Sequence, residues 1–307
     1  MKGIHLNDIH LAGRGPASRL DDWPAAVFAK LEQVLTLAKA IRAEYIGIAG
    51  DVFHHKTKVP YGIVSQLIEW CTRAQGSGIQ ILCVPGNHDE QYDRRESIPN
   101  QALGVLFASG AMKDISYEPA WFSCEKTFEV IGVPYPDAVT EDGLHKLPEK
   151  RMHFRTVLAH CFAGVSGGTY FGEPIHSYHD LSREFPEVDV WHFGHDHADH
   201  GVMQIGAKWF INLGALTRGS IALEDINRDV QQVRLNVAPA GEVFDLALKA
   251  QRDAEAGRIE QFVTDLSAGL LDIGPLNVRD RVDKIDVPEA VRKRVMAYIE
   301  AAEQGAA

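Results

Sequence analysis

Five short clusters of aspartate, asparagine and histidine recur along the chain, and each directly follows an apolar run of strand length. Asn7-Asp8-Ile9-His10 comes after Lys2 to Leu6, and Gly50-Asp51-Val52-Phe53-His54-His55 after Tyr45 to Ala49. Gly86-Asn87-His88-Asp89 closes the run Ile79 to Val84, with Pro85 between. His160-Cys161 follows Thr156 to Ala159, and Gly194-His195-Asp196-His197 follows Asp189 to Phe193. In open α/β sheets the carboxyl ends of strands gather around one crevice, so five such clusters are expected to share one site.

Helical patterns separate the first three strands. Trp23 to Ala43 carries apolar residues at helical spacing, with Asp22 as N-cap and Pro24 in the first turn. Pro60 to Gln75 is a second amphipathic stretch, stopped by Gly76-Ser77-Gly78. This βαβαβ order predicts a mostly parallel sheet with helical crossovers. A helix is expected over Asn100 to Ser109, and a strand over Phe128 to Val133. After Gly194 come short strands (Val202 to Ile205, Trp209 to Leu213, Ile221 to Leu223, Val230 to Val237), which predict an antiparallel or mixed second sheet. From Ala238 the composition turns charged and alanine-rich. Residues 1–237 are therefore expected to form the catalytic domain, and 238–307 a helical extension that packs, self-associates or docks a partner.

The remaining composition mainly excludes. With 307 residues, 45% apolar and 24% charged, the chain can bury a large core and is neither disordered nor fibrous. No apolar run reaches the roughly 18 to 20 residues of a membrane span, and the N-terminus lacks a signal-peptide pattern. Four cysteines without CxxC spacing point to a reducing cytoplasm. A net charge of −11 excludes general electrostatic binding of nucleic acid, but not phosphate binding where metal ions invert the local charge.

The residue types in the five clusters suit a pair of divalent metals, since imidazole and carboxylate bind Mn, Fe and Zn. Two metals about 3.5–4 Å apart need a bridging carboxylate. Strand alternation would point Asp8 and His10, and likewise His195 and His197, to one side of an extended chain. Taken singly, Asp-x-His or Gly-Asp is an ordinary polar turn. Five such clusters in this order, each at a strand end, are not.

The set D-x-H, G-D, G-N-H-[DE], an isolated H and G-H-x-H, complete here from Asp8 to His197, resembles the calcineurin-like metallophosphoesterase superfamily. That resemblance implies a four-layer α/β/β/α sandwich of two mixed sheets and two divalent metals, Mn²⁺ first, with Fe, Zn, Ni or Co as alternatives. It implies that Asp8, His10, Asp51 and His197 hold one metal. Asp51, Asn87, His160 and His195 would hold the other, with Asp51 bridging. It also gives His88 the role of protonating the leaving oxygen while Asp89 orients its ring. Asn7 departs from the serine often found before the first aspartate, a mild change that removes no ligand.

A narrower likeness lies in Asp8-Ile9-His10-Leu11, Gly50-Asp51-Val52-Phe53-His54 and Gly214 to Ser220, which look like the SbcD-type branch of DNA repair and recombination nucleases, phage members included. There the histidine after G-D-x-F reaches the substrate phosphate, which maps onto His54. This implies DNA as substrate. The residues add Arg218 for a phosphate and a Gly164 to Glu173 rim offering Tyr170 and Phe171 to stack a base, and a cleft without the branch's full cap is expected to take single strands or ends before intact duplex. The alternatives are a phosphodiesterase or phosphatase for small nucleotides or other small phosphoesters, and a catalytically dead scaffold, which the complete ligand set argues against. Full nucleases of that branch carry a larger cap and helices for an ATPase partner. Only about 70 residues follow Val237 here, which departs from that pattern; packing on the catalytic domain or homo-oligomerisation is the first expectation for the tail, and docking of an ATPase partner the lesser alternative.

Overall fold

The computed structural model describes residues 2–123, 127–140, 142–170, 172–225, 227, 229–251, 254 and 292. In chain order the elements are β1 (Lys2–Leu6), α1 (Trp23–Ile41), β2 (Tyr45–Ala49), α2 (Tyr61–Gln75), β3 (Gln80–Val84), α3 (Ala102–Ala108), β4 (Lys113–Asp114), β5 (Ala120–Ser123), β6 (Thr127–Val133) and β7 (Phe154–His160). A small ribbon follows, β8 (Ala163–Gly164), β9 (Gly168–Tyr170) and β10 (Glu173–Ser177), then α4 (Tyr178–Glu184) and β11 (Val190–Gly194). The unit ends with β12 (Gly201–Ile205), β13 (Lys208–Asn212), β14 (Ser220–Asp225) and β15 (Val230–Arg234).

Two six-stranded mixed sheets result, ordered β15-β14-β1-β2-β3-β4 and β12-β13-β11-β7-β6-β5. In each, the strands that lead into the polar clusters are central and parallel: β1, β2 and β3 in the first, β7 and β11 in the second. Central parallel strands are covered on both faces, which is why they read as continuous apolar runs. The first sheet packs α1, α2 and α3 on its outer face in one apolar cluster, and the second packs α4. Tyr45, Leu82, Val84, Phe128, Val130 and Leu158 form the core between the sheets. The four-layer α/β/β/α sandwich expected from the motifs is the observed architecture.

Local chemistry explains the elements. The Asp22 side chain accepts from Ala25 N at 3.1 Å, and Pro24 sits in the first turn of α1. Arg42 ends the helix in the left-handed region (φ 56°). Val27, Leu31, Val34, Leu35 and Ala38 recur on the buried face of α1. Truncating the fully buried Leu31 to alanine should cost about 2–5 kcal/mol.

Two expectations are corrected. The short strands after Gly194 do not form one sheet. β12 and β13 extend the second sheet, whereas β14 and β15 return to the first, β14 antiparallel to β1. The Gly164 to Glu173 loop is a paired ribbon, because β10 bonds both β8 and β9.

Residues 1–239 form one compact unit and residues 240–307 a second. In the second, a short helix α5 (Ala240–Val243) and a helical run over 246–251 are described. Most of the helices expected over Ala240 to Leu266 and Pro288 to Ala302 lie outside the described residues, and so do the partner-docking and self-association roles assigned to them. Among the described residues no helix is long and apolar enough to cross a membrane.

Candidate metal centre

The loops after β1, β2, β3, β7 and β11 meet at one edge of the sandwich. Asp8, His10, Asp51 and His160 are buried there, while His54 and His197 are exposed. The chain reaches this edge under strain. Asp8 (φ 47°), His10 (φ 49°), Asp51 (φ 52°) and His195 (φ 90°) are four of nine non-glycine residues with positive φ among those described. Such residues cost of order 1–3 kcal/mol each and gather at functional sites. They also correct one expectation, since Asp8 and His10 are brought together by left-handed turns and not by strand alternation. Gly86 is required by close approach: a Cβ there would overlap Asp51 Oδ1 and lie 2.5 Å from Asp51 N.

One half of the centre is made by Asp8, His10, Asp51 and His197, whose donor atoms all lie within 4.8 Å of one another. His10 Nε2 is 2.8 Å from His197 Nε2 and 3.6 Å from Asp51 Oδ2. The other half is made by Asn87, His160, His195 and the second oxygen of Asp51. Asn87 Oδ1 lies 3.0 Å from His160 Nε2 and 3.1 Å from His195 Nδ1, and those two nitrogens are 3.2 Å apart. Asp51 Oδ1 is 3.5 Å from His160 Nε2. The two carboxylate oxygens of Asp51 thus face different halves. The halves are also tied by backbone, since both Asp8 oxygens accept from His195 N, at 3.1 and 3.3 Å.

Hydrogen bonds behind the rings fix which nitrogen faces inward. His160 Nδ1 donates to the Ala49 carbonyl (2.8 Å), and His195 Nε2 donates to Glu173 Oε2 (2.8 Å). In the forms that ligate a metal, His160 and His195 would bring lone pairs at Nε2 and Nδ1 against the Asn87 oxygen, with no proton on any of the three atoms. Acceptors crowded to 3.0–3.2 Å repel unless a cation sits among them. Ligands on one cation at bond lengths of about 2.1 Å lie about 3.0 Å apart when cis. Asp51 Oδ2 is buried without a hydrogen-bond partner, a further orphan that a cation would satisfy.

The electrostatics agree. Burial pulls His10 down to about 2 and His197 to about 4, and holds His160 well below the usual imidazole range, so all three are neutral ligands near neutral pH. Burial pushes Asp51 up to about 6 and also raises Asp8, where the Asp51 charge adds to the effect. A cluster that would sooner hold protons than bare charge is one that cations stabilise. The residues present fit two divalent ions.

His54 and His88 lie on the open side. Their rings stack with centroids 5.4 Å apart and 17° between planes. His54 Nδ1 is 3.4 Å from His10 Nδ1, and His88 Nδ1 donates to the His54 carbonyl at 2.6 Å. The expectation that Asp89 orients the His88 ring is corrected. The Asp89 carboxylate accepts from Val52 N (3.3 Å), Phe53 N (3.2 Å) and Gly86 N (3.0 Å), tying the loop after β2 to the loop after β3. It is buried, and desolvation with the Asp51 charge pushes it up to about 7.

Arg218 is exposed on the turn over Leu216–Arg218, and its charge helps depress His197. Leu216 N donates to Asn7 O at 3.0 Å, which holds this turn against the end of β1. Tyr170 is half exposed and packs edge-on to Phe162, centroids 5.1 Å apart. Phe171 lies outside the described residues. Sequence reasoning missed two contributors, Glu173 behind His195 and the His54 carbonyl behind His88. Beneath the site, His192 Nε2 meets Asn7 Oδ1 at 2.7 Å. Glu173 closes a glycine-rich stretch far from any motif, so no spacing signals it.

Residues 1–199 match the calcineurin-like phosphoesterase family, and the chain belongs to that family of metal-dependent phosphoesterases. Over 99 residues, 32% of this chain, it is 34% identical to a DNA double-strand break repair protein, Mre11, of Aeropyrum pernix, and the match spans only 23% of that relative's length. Among solved structures, a dimetal phosphatase from Danio rerio aligns with 77% of this chain and 99% of its own, at 11% identity and a TM-score of 0.49.

Proposed function

We propose that this chain is a two-metal phosphodiesterase that cuts DNA, single strands and ends before intact duplex, with Mn²⁺ as its metal and the cytoplasm as its compartment. The observation that carries the diesterase reading is the stacked His54–His88 pair beside the metal centre. Nitrogen-by-nitrogen assignment gives the pair distinct roles. With His10 Nε2 turned to the cations, its Nδ1–H points at His54 Nδ1, and His54 Nε2–H is left to donate to a phosphate oxygen. His88 keeps its Nδ1–H on the His54 carbonyl, so as general acid it enters the step as the imidazolium, gives up the proton on Nε2 and ends as the neutral ring. As the P–O bond breaks, that proton goes to the leaving alkoxide oxygen, which a nucleoside hydroxyl needs and a nitrophenolate does not. When bound, a pair of divalent cations supplies Lewis-acid polarisation of the phosphoryl oxygens and a water acidified to near neutrality. Asp8 and Asp51 fix the anionic side of the cluster, and Arg218 lies ready for a neighbouring phosphate.

DNA as the substrate is supported by the 99-residue likeness to a repair protein and by exposed Tyr170, which can stack an unpaired base. The test is a side-by-side assay with Mn²⁺ of single-stranded DNA, duplex DNA, a nucleotide diester and bis-p-nitrophenyl phosphate. Single strands should be cut faster than duplex, and cleavage should fall as salt rises, because phosphate contacts release counterions. A nucleotide diester turned over with far higher kcat/KM than any DNA strand would contradict the DNA reading and support the small-phosphoester alternative.

A further inference from the structure

The two halves of the metal centre are unequally charged. The first draws on Asp8 and shares Asp51, whereas the second has three neutral donors, Asn87, His160 and His195, and only a share of Asp51. Behind that second half stands one more carboxylate. Glu173, the first residue of β10, places Oε2 2.8 Å from His195 Nε2. The pair is largely enclosed, with side-chain exposures of 11% for His195 and 26% for Glu173. Phe162 covers the His195 ring with centroids 4.3 Å apart, and the Tyr135 hydroxyl reaches Glu173 Oε1 at a long 3.5 Å. Exposed ion pairs contribute little, but this one fixes a ring whose other nitrogen converges with Asn87 Oδ1 and His160 Nε2.

We infer that Glu173 is a positioning residue for the second cation: it holds His195 in the tautomer whose Nδ1 lone pair faces the metal, and supplies through that imidazole the negative charge that this half otherwise lacks. The ribbon β8-β10-β9 that carries Glu173 thereby becomes a part of the metal centre and not only a rim. A carboxylate behind a ligating histidine raises its basicity, and removing such an outer partner costs about 10–100-fold in metal affinity. Among the described residues no side chain of the first half contacts Glu173, so the loss should fall mainly on one of two ions.

The inference rests on the two-metal reading, and one experiment separates their failures. The full-length protein, stripped with chelator, is titrated calorimetrically with Mn²⁺ as wild type, Glu173→Ala and Glu173→Gln, with bound metal counted by elemental analysis. Wild type should bind two ions. Glu173→Ala should keep one at wild-type affinity and weaken the other by about 10–100-fold. Glu173→Gln, whose amide oxygen still accepts from Nε2–H but carries no charge, should recover only part of that loss, and the melting temperature of the metal-free proteins should be unchanged. Two ions bound by Glu173→Ala at wild-type affinities would overturn the inference alone. Equal weakening of both ions with a lowered melting temperature would also overturn it, since Glu173 would then be supporting the fold. Fewer than two ions on the wild type would overturn the two-metal reading itself.

Discussion

The two halves of the metal centre reach similar donor spacing by different means. The half formed by Asp8, His10 and His197 takes two residues at positive φ, one of them a buried carboxylate, from the loop after β1, and adds His197 from the loop after β11. The half formed by Asn87, His160 and His195 borrows from both sheets and is braced from behind, by the Ala49 carbonyl on His160 and by Glu173 on His195. Charge is built into the first half and lent to the second. Asp51 serves both, one oxygen toward each, and is the residue through which they are coupled.

The largest effect should come from that shared residue. Asp51→Asn should lower bound Mn²⁺ at both halves, and the loss of DNA hydrolysis should exceed the roughly 10–100-fold typical of outer-shell changes. Elemental analysis showing one half still filled would mean that Asp51 belongs to a single ion. Next comes His88, which lies outside both halves. His88→Asn should cost about 10²- to 10⁴-fold on DNA, less on bis-p-nitrophenyl phosphate, and nothing in metal content. An equal loss on both substrates would reassign His88 to binding.

The smallest effect is on pH dependence, and its sign follows from burial. Asp51 is pushed up to about 6, so below that pH a proton competes with the cation. Mn²⁺ affinity should rise as pH increases through about 6 and level off above 7. His10 and His197, depressed to about 2 and 4, do not compete in that range. Calorimetry in buffers of different ionisation enthalpy should therefore report protons leaving carboxylates. Protons released from His10 or His197 between pH 5 and 7, seen by NMR of their rings, would contradict this assignment.

Much of this was legible in the sequence, and the boundary is physical. β1, β2 and β3 bury both faces, so their runs and the clusters behind them stand out at once. Asp8, His10, Asp51 and Asn87 follow those strands, His160 ends β7, His195 and His197 follow β11, and the structure brings the seven side chains to one edge of the sandwich. What the sequence concealed depends on tertiary closure. β14 reads like any other short strand, and nothing local says that it returns to β1. Asp89 sits beside His88 in the chain, yet three backbone N–H groups hold it facing the other way. Glu173 has no periodic or motif signal, because its function comes from a ribbon folding over His195.

The most direct test of the metal-centred chemistry is the hydrolysis of single-stranded DNA by full-length protein before chelation, after removal of metal verified by elemental analysis, and after return of Mn²⁺. Activity should vanish with the metal and return as the second equivalent binds. Undiminished hydrolysis by verified metal-free protein would contradict it.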